Sequence, residues 1–532
     1  MGAALSRLRL ALASLLDEIR EYRKVQSRIE SSPGLPVAQP TTPYWSIPVS
    51  SISQHGKDDK LPEDVDVVVI GSGITGAAVA HTLFSTGKLP KVVLLEARDA
   101  CSGATARNGG HITPNLFHDY QDLKTAYGGD VAKQIIHFRL GHLQELLKVA
   151  TAEDILVDSQ CRKVETYDLF LDEDKYETAK VNLDAYLKDF PEQVSNWRIV
   201  KNIESLQVSP EVIVGAITTT AGAIHPYRFV TSLLSRLLSK FPQNFQLFTN
   251  TPCVSIASDS SRYIVVTPKG TIRTKHVVHA TNGWASHLLP KLRGKIVPVR
   301  GHMSAHRPGT GLGSFPDTDS VQTLAEKKDS WLGTRSFVMS GANTYNYLTQ
   351  QPPSSASTSG GAFPPSNGEL MFGGGLALSL ATILPELGVA DDHKPIDLAV
   401  GAYLGGAVSM YFGNQWGSEG QAESKSEAEE INPGRVLKVW TGILGISADR
   451  QPWVGRLPTK ITDRREPKAQ SMSLAAPGEW IAAGYTGEGM VHAYLSGKAV
   501  ANMILEQDST FPEVFVVTER RWKKANIEDL AQ

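Results

Sequence analysis

Apolar residues recur at three- and four-residue steps near the start of the chain: Leu5, Leu8, Leu12, Leu15, Ile19 and Tyr22. Arg7, Asp17, Arg20, Arg23 and Lys24 fall on the other faces. That period predicts one amphipathic helix over 2–30, within a segment 1–32. Pro33, Pro36, Pro40, Pro43 and Pro48 then hold the backbone extended, so 33–60 reads as a proline-rich connector. The pattern changes at Leu61, where the globular body begins. Val65-Asp66-Val67-Val68-Val69-Ile70 is a β-branched run of the kind buried in a parallel sheet. Ala77 to Leu83 is helical in character, and Lys91 to Glu96 is a second strand. Residues 353–367 are small and polar and 418–430 are acidic, so both read as solvent-facing loops. No internal repeat is visible.

Composition narrows the class. With 532 residues, at about 150 per domain, the chain has room for two to four domains or one large two-lobed body. A hydrophobic share of 41% and a charged share of 20% exclude wholesale disorder. Fifty-three basic and 55 acidic side chains nearly cancel, which gives no electrostatic reason to expect a nucleic-acid partner. No apolar run reaches the ~18 residues of a spanning helix. The three cysteines, Cys101, Cys161 and Cys253, are widely spaced without a CxxC. That argues against a disulfide framework or a zinc site, predicts no metal, and favours a reducing, cytoplasmic setting. The opening Met-Gly-Ala-Ala-Leu-Ser fits the acylation pattern, with Gly2 as acceptor and Ser6 in the favoured place. Asp17, Glu18 and Glu21 argue against a mitochondrial presequence. Two readings of the N-terminal helix stay open: it packs on its own protein or in a coiled coil, or with an acylated Gly2 it makes weak membrane contact.

The candidate chemistry begins after the first strand. Gly71-Ser72-Gly73-Ile74-Thr75-Gly76 follows the strand directly and opens the helix, and Glu96 ends the second strand twenty residues after Gly76. Gly71 permits the tight turn, Gly73 lets backbone approach a pyrophosphate, and Gly76 lets helix and strand pack closely. The helix N-terminus offers N–H groups to phosphates, and the Glu96 carboxylate can accept hydrogen bonds from ribose hydroxyls. The segment Cys101 to His111 is small, rich in hydroxyls and carries an arginine, as suits close passage along a long cofactor.

Further motifs carry a resemblance. The chain resembles the FAD-dependent oxidoreductases of the D-amino-acid oxidase, glycine oxidase and sarcosine oxidase superfamily, in particular the γ-glutamylputrescine-oxidoreductase-like branch in its fungal form. The carriers are G-S-G-I-T-G (71–76), E-A-R (96–98), C-S-G-A-T-A-R-N-G-G-H (101–111), A-G-A-I-H-P (221–226), V-V-H-A-T-N-G-W (277–284) and I-V-P-V-R-G-H-M (296–303). G-E-L-M-F-G-G-G (368–375), W-T-G-I-L-G-I-S-A-D-R-Q-P-W-V-G (440–455) and G-Y-T-G-E-G-M (484–490) complete the set. The resemblance implies an α/β fold in which a discontinuous Rossmann-like FAD-binding domain (61–150, 221–295 and 436–510) interleaves with an α+β substrate domain. That second lobe is built on a mixed or antiparallel sheet (151–220 and 296–435). A tail, 511–532, follows. The resemblance also implies cofactor contacts at Ala97, Arg98, Ser102, Gly103, Thr105, Arg107, Asn108, Gly109 and Gly110. Val254 would lie by adenine through its backbone, and Ala280, Thr281 and Trp284 near the adenosine half. Gly442 and Gly484 would form glycine turns, and Gly487, Glu488, Gly489 and Met490 would end under the pyrimidine side of the flavin. There a helix N-terminus suits the negative charge of reduction, and the Glu488 side chain is expected to turn away.

Such a fold implies oxidation of an amine or amino acid by hydride transfer to flavin, with hydrolysis of the imine and reoxidation by dioxygen or, as an alternative, by another acceptor; a flavin-binding scaffold without turnover stays open as a further reading. His111, next to the flavin-lining glycines, is a candidate to bond the flavin or accept the substrate proton. Arg300 is a candidate partner for a substrate carboxylate, although a structural place near the flavin is as open. His302 departs from the glutamine of relatives. Tyr347 and Gln350 are candidates for the substrate face of one strand, Trp440 and Tyr485 for the wall of the amine pocket, and Asp449 reads as structural. The cysteine that tethers flavin in sarcosine-oxidase-like relatives lies late in the chain, and here the last is Cys253, so FAD is expected to be bound non-covalently.

Overall fold

A computed structural model describes residues 19–308, 333–341, 344–352, 362–375, 383–394, 396–416, 434–468 and 474–531. The acylation pattern at Gly2 and Ser6, the stripe from Leu5 to Leu15, and most of the two loop segments lie outside the described residues.

Two sheets organise the chain. The first has eight strands. Its main path runs Trp453–Arg456, Gly478–Ala483, Gly270–His279, Asp64–Ile70, Val92–Leu95 and Phe245–Phe248. Asp64–Ile70 pairs in parallel with Gly270–His279 on one side and Val92–Leu95 on the other. Val67, Val68 and Val69 are fully buried there, which is why that run is continuously β-branched rather than alternating. The helices Ile74–Leu83 and Ala493–Ile504 pack closely. Gly497 makes that approach possible, since a Cβ on it would stand 2.6 Å from the Thr75 carbonyl oxygen.

The second sheet has nine strands and is mixed. Its main path runs Val436–Ser447, Ile296–His306, Leu370–Gly373, Thr344–Gln350, Arg335–Gly341, Arg162–Phe170, Gly215–Ala223 and His111–Ile112. Arg335–Gly341 and Arg162–Phe170 are parallel, and the other pairings are antiparallel. The interleaved α/β fold follows the expectation from the resemblance.

Several lobe boundaries differ from that expectation. Val436–Ser447 pairs along its length with Ile296–His306, so it belongs to the second sheet rather than the cofactor domain. His111–Ile112 also joins the second sheet, by pairing with Gly222 and Ala223. The described part of the C-terminal tail, 511–531, packs on the body. Arg521 pairs with Asp449 at 2.7 Å, and Trp522 Nε1 donates to the Lys291 carbonyl at 2.8 Å. The described part of the N-terminal helix, 19–30, rests on its own protein: Val25 is buried and Ile29 packs beside Leu292, whereas Ile19 and Tyr22 of the predicted stripe are exposed.

Candidate active site

A cleft of about 1670 Å³, part of it open solvent, runs between the two sheets.

One end is built by the turn after the first strand. Gly71 sits at φ +107°, where L side chains are strained, and a Cβ on it would stand 2.6 Å from the Ala280 carbonyl oxygen. Gly76 lies under the turn, where a Cβ would overlap the Gly71 oxygen at 1.9 Å. The Thr105 hydroxyl accepts from the Ile74 N–H at 3.0 Å, tying the segment after Glu96 onto the helix start. The Glu96 carboxylate accepts from Ser72 N–H and O–H at 3.1 and 2.7 Å and from the Arg98 N–H at 3.0 Å. It is therefore aimed before any ligand arrives. Ala97, Arg98, Gly103, Asn108, Ala280, Thr281 and Trp284 share this wall.

The other end carries the aromatic candidates. His111, Tyr347 and Tyr485 face the same cleft as Gly487, Glu488, Gly489 and Met490. Tyr485 shares a hydrogen bond with Thr75 at 2.8 Å, which joins the late glycine turn to the first helix. Tyr347 donates to the Met303 sulfur at 3.1 Å, and its ring fills the space above Gly109, where a Cβ would stand 2.4 Å away. Burial pushes the Tyr347 phenol up to about 12. Burial also pushes His111 down to about 4, against a small opposing pull from Asp168, so its ring is neutral at neutral pH. His111 Nε2 shares a hydrogen bond with the Ser336 hydroxyl at 3.0 Å.

The structure does not bring every candidate to the cleft. Ser72 spends its hydroxyl on Glu96 and on the Cys101 N–H. Arg107 lies behind the wall, donating to the Ser102 and Thr441 carbonyls and facing Asp392. Ser102, Gly76, Gly110, Gly442 and Gly484 likewise lie off the wall. Gly442 packs on Arg107, and Gly484 donates its N–H to Asn282. The Val254 N–H is taken by the Val266 carbonyl at 2.9 Å, and its neighbour Cys253 lines the cleft instead. Arg300 is held by Glu386 at 2.6 Å and is away from the wall, so its guanidinium is committed within the protein. Trp440 is fully buried and donates to the Arg107 carbonyl. Gln350 is buried and serves Gly333 and Gly368.

Glu488 does not simply turn away. Its carboxylate accepts from Asn115 at 2.7 Å and lies 3.6 Å from Arg139, which also holds Asp119. Tyr345, two positions before Tyr347, lines the cleft as well. Strict alternation along the strand would have named it in place of Gln350. The connector was missed altogether: Gly34, Leu35 and Pro36 line the cleft, and Ser32 shares a hydrogen bond with His287 at 3.0 Å. Trp45, further along, donates to the Asn108 carbonyl. Proline spacing marks extended chain but not what that chain lies against.

The wall fits a dinucleotide on its own evidence. Thr281 Oγ1 and Trp284 Nε1 line the cleft as buried atoms with no hydrogen-bond partner in the protein. Orphaned polar atoms of this kind are rare unless a ligand or water completes them. Together with the glycine turn and the aimed Glu96, they form a donor and acceptor set that a ribose and pyrophosphate satisfy.

Comparison with known proteins points the same way. The family model described as FAD dependent oxidoreductase matches residues 66–503. The chain is 25% identical over 264 residues to the probable oxidoreductase OrdL of Haemophilus influenzae, covering 46% of this chain and 56% of that one. It is 24% identical over 273 residues to the γ-glutamylputrescine oxidoreductase of Escherichia coli, covering 48% and 58%. The chain thus spans a little over half the length of these curated relatives. Its fold is similar to that of L-proline dehydrogenase from P. horikoshii, with a TM-score of 0.60, 17% identity, and coverage of 88% of this chain and 100% of that one. Glycine oxidase from Geobacillus kaustophilus gives 0.58 and 16%, with coverage of 86% and 99%.

Proposed function

The chain belongs to the family of FAD-dependent oxidoreductases, and on that premise we propose that it oxidises an amine or amino acid at the carbon bearing nitrogen. The FAD is held non-covalently, and dioxygen is the electron acceptor, yielding hydrogen peroxide. The observation that carries this reading is a single cleft joining the Gly71–Glu96 dinucleotide wall to an uncharged wall of His111, Tyr345, Tyr347 and Tyr485.

Bound FAD supplies a two-electron acceptor at flavin N5 for the hydride leaving the substrate carbon. The protein's part is to hold that carbon and to keep the amine neutral. The neutral side chains of His111, Tyr347 and Tyr485 give an ammonium no counter-charge of their own and so favour the free amine, whose nitrogen lone pair forms the imine as the hydride departs. His111 contributes by staying neutral, with one ring nitrogen engaged by Ser336. Tyr347 is set in place by Gly109 and Met303. Met490 and Tyr485 are buried at the late glycine turn. The Glu488 N–H there is taken by the Tyr485 carbonyl, and the remaining N–H groups of the turn would hold the flavin edge that gains negative charge on reduction. The released imine takes up water to give the carbonyl compound and ammonia or the residual amine.

The test is an anaerobic panel of amines and amino acids mixed with the FAD-loaded protein. Bleaching of the visible flavin band by at least one amine is expected, followed by recovery in air with one peroxide per turnover. Recovery only with a quinone or dye overturns the oxygen assignment. No bleaching by any member overturns the amine reading.

A further inference from the structure

Beyond His111 and Tyr345 the cleft continues into a small chamber of about 30 Å³, room for a terminal ammonium and little more. The two spaces share His111, Thr113, Asn115 and Tyr345. At the chamber's inner side lies Asp168, on the strand Arg162–Phe170, with 8% of its side chain exposed. Thr166, two positions earlier, shares its face and also reaches His111, at 3.5 Å. Trp197 forms another wall. It is nine-tenths buried, and its Nε1 has no partner in the protein. That N–H only donates, so water or another acceptor completes it rather than an ammonium; it marks the chamber as hydrated and does not set the charge of its occupant.

The carboxylates of Glu96, Glu488 and Asp168 dominate the charge around the two spaces. Arg98 is the one arginine or lysine among the described residues that line either space, and its Nη1 is held by Asp392. Arg139, which approaches through Glu488, is already shared between Glu488 and Asp119. Arg300 is bound by Glu386. Among the described residues, then, no free cation meets a substrate carboxylate. Among the described residues Asp168 pairs with the partly exposed His118 at 3.1 Å.

Resting on the amine-oxidation reading above, we infer that the chamber around Asp168 is a subsite for a second cationic group of the substrate, so that the substrate class is diamines and related polycationic amines rather than α-amino acids. Asp168 accepts from the distal ammonium, and the Thr166, Thr219 and Thr220 side of the chamber offers it neutral oxygen partners. The distal charge also assists the chemistry. A second positive charge on the same molecule lowers the affinity of the reacting nitrogen for its proton, so the free amine becomes easier to present to the uncharged wall. A carboxylate placed there faces Asp168 and is repelled.

The experiment compares kcat/KM of the FAD-loaded full chain for three substrates of equal length: an α,ω-diamine, the monoamine and the ω-amino acid. The expected order is diamine, then monoamine, then amino acid. In Asp168→Asn the ratio of diamine to monoamine falls by about tenfold or more, the size expected for loss of one charge-assisted hydrogen bond. In His118→Gln, which removes the competing partner of Asp168, the ratio rises. FAD content and near-ultraviolet circular dichroism establish that each variant is folded, and His118→Gln carries the test by itself if Asp168→Asn does not load. A preference for the amino acid, or ratios unmoved in the folded variants, overturns this subsite while amine oxidation stands. Failure of all three substrates, and of every other amine, to bleach the flavin overturns both.

Discussion

Arg98 and Asp392 form a buried ion pair at 2.9 Å, with the Asp392 side chain wholly enclosed. Arg107 reaches the same carboxylate at 3.4 Å. Both arginines belong to the segment that lines or backs the dinucleotide wall, and Asp392 comes from the other lobe. The Asp392 carbonyl also accepts from Thr41 of the connector and from Thr441. One residue therefore clamps three separated pieces of chain.

That clamp makes the first prediction. Asp392→Asn leaves two buried guanidinium groups facing a neutral amide, and breaking a buried pair costs about 3–5 kcal/mol. A drop in melting temperature of the apoprotein and weaker FAD binding, by at least about tenfold, are expected. Thermal unfolding and fluorescence titration with FAD measure them, and Asp392→Glu should recover part of both. Unchanged FAD affinity in a destabilised variant would limit Asp392 to a purely structural role.

Gly76 makes a sharper steric prediction. A Cβ there meets the Gly71 oxygen at 1.9 Å, and backbone cannot swing aside as a side chain can. Gly76→Ala should cost about 3 kcal/mol or more and open the phosphate turn, so the purified protein should be colourless. Gly103→Ala is the contrast: its Cβ would meet nothing within 4 Å, and the fold should persist. A yellow, stable Gly76→Ala protein would contradict this placement of the helix against the turn.

Cofactor attachment is open to a direct check. Cys253 lines the cleft beside Glu96 and Ala97, but burial pushes its thiol up to about 12, far from the reactive thiolate range. Acid precipitation should therefore leave the flavin in the supernatant. Colour retained in the pellet would show a covalent link.

Buried histidines set the pH dependence of stability. Burial pushes His142, His276 and His492 down to about 3, and His111 and His306 down to about 4, from an ordinary 6.5. Geometry shows why neutrality is required. His142 Nδ1 donates to the Phe138 carbonyl while Nε2 accepts from the Leu495 N–H, and His276 Nδ1 accepts from Trp480. Because the folded values lie below the unfolded one, the unfolded chain binds more protons between pH 6.5 and about 3. Stability is complete above 6.5 and is lost as pH falls through that window, by at most about 1.4 kcal/mol per pH unit for each histidine. Urea midpoints measured from pH 7 to pH 5 should fall, and His142→Asn should flatten the slope. A flat profile would exclude neutral burial of this set.

How much was legible in the sequence differs from one part of the site to another. The strand, glycine turn, helix and acid around 65–96 were readable because adjacent residues make them, and local sterics and period decide their form. Tyr347, read from strand alternation, and Tyr485, read from its place before a glycine turn, both line the cleft. Tyr345 could have been found from alternation alone. Arg300, Trp440 and Val254 could not have been excluded, because what removed each was a partner distant in sequence: Glu386, the Arg107 carbonyl and the Val266 carbonyl.

By itself the sequence determined the order of the cofactor elements, the family, and the near balance of charge. Each rests on local spacing or on sums over residues. Only the tertiary structure decided that Val436–Ser447 joins the second sheet, that the connector lines the cleft, that Asp392 ties Arg98 to Arg107, and that a chamber holding Asp168 opens behind His111. These are contacts across large separations in the chain. The packing of whole sheets selects them, and no local period or composition records which buried charge will face which.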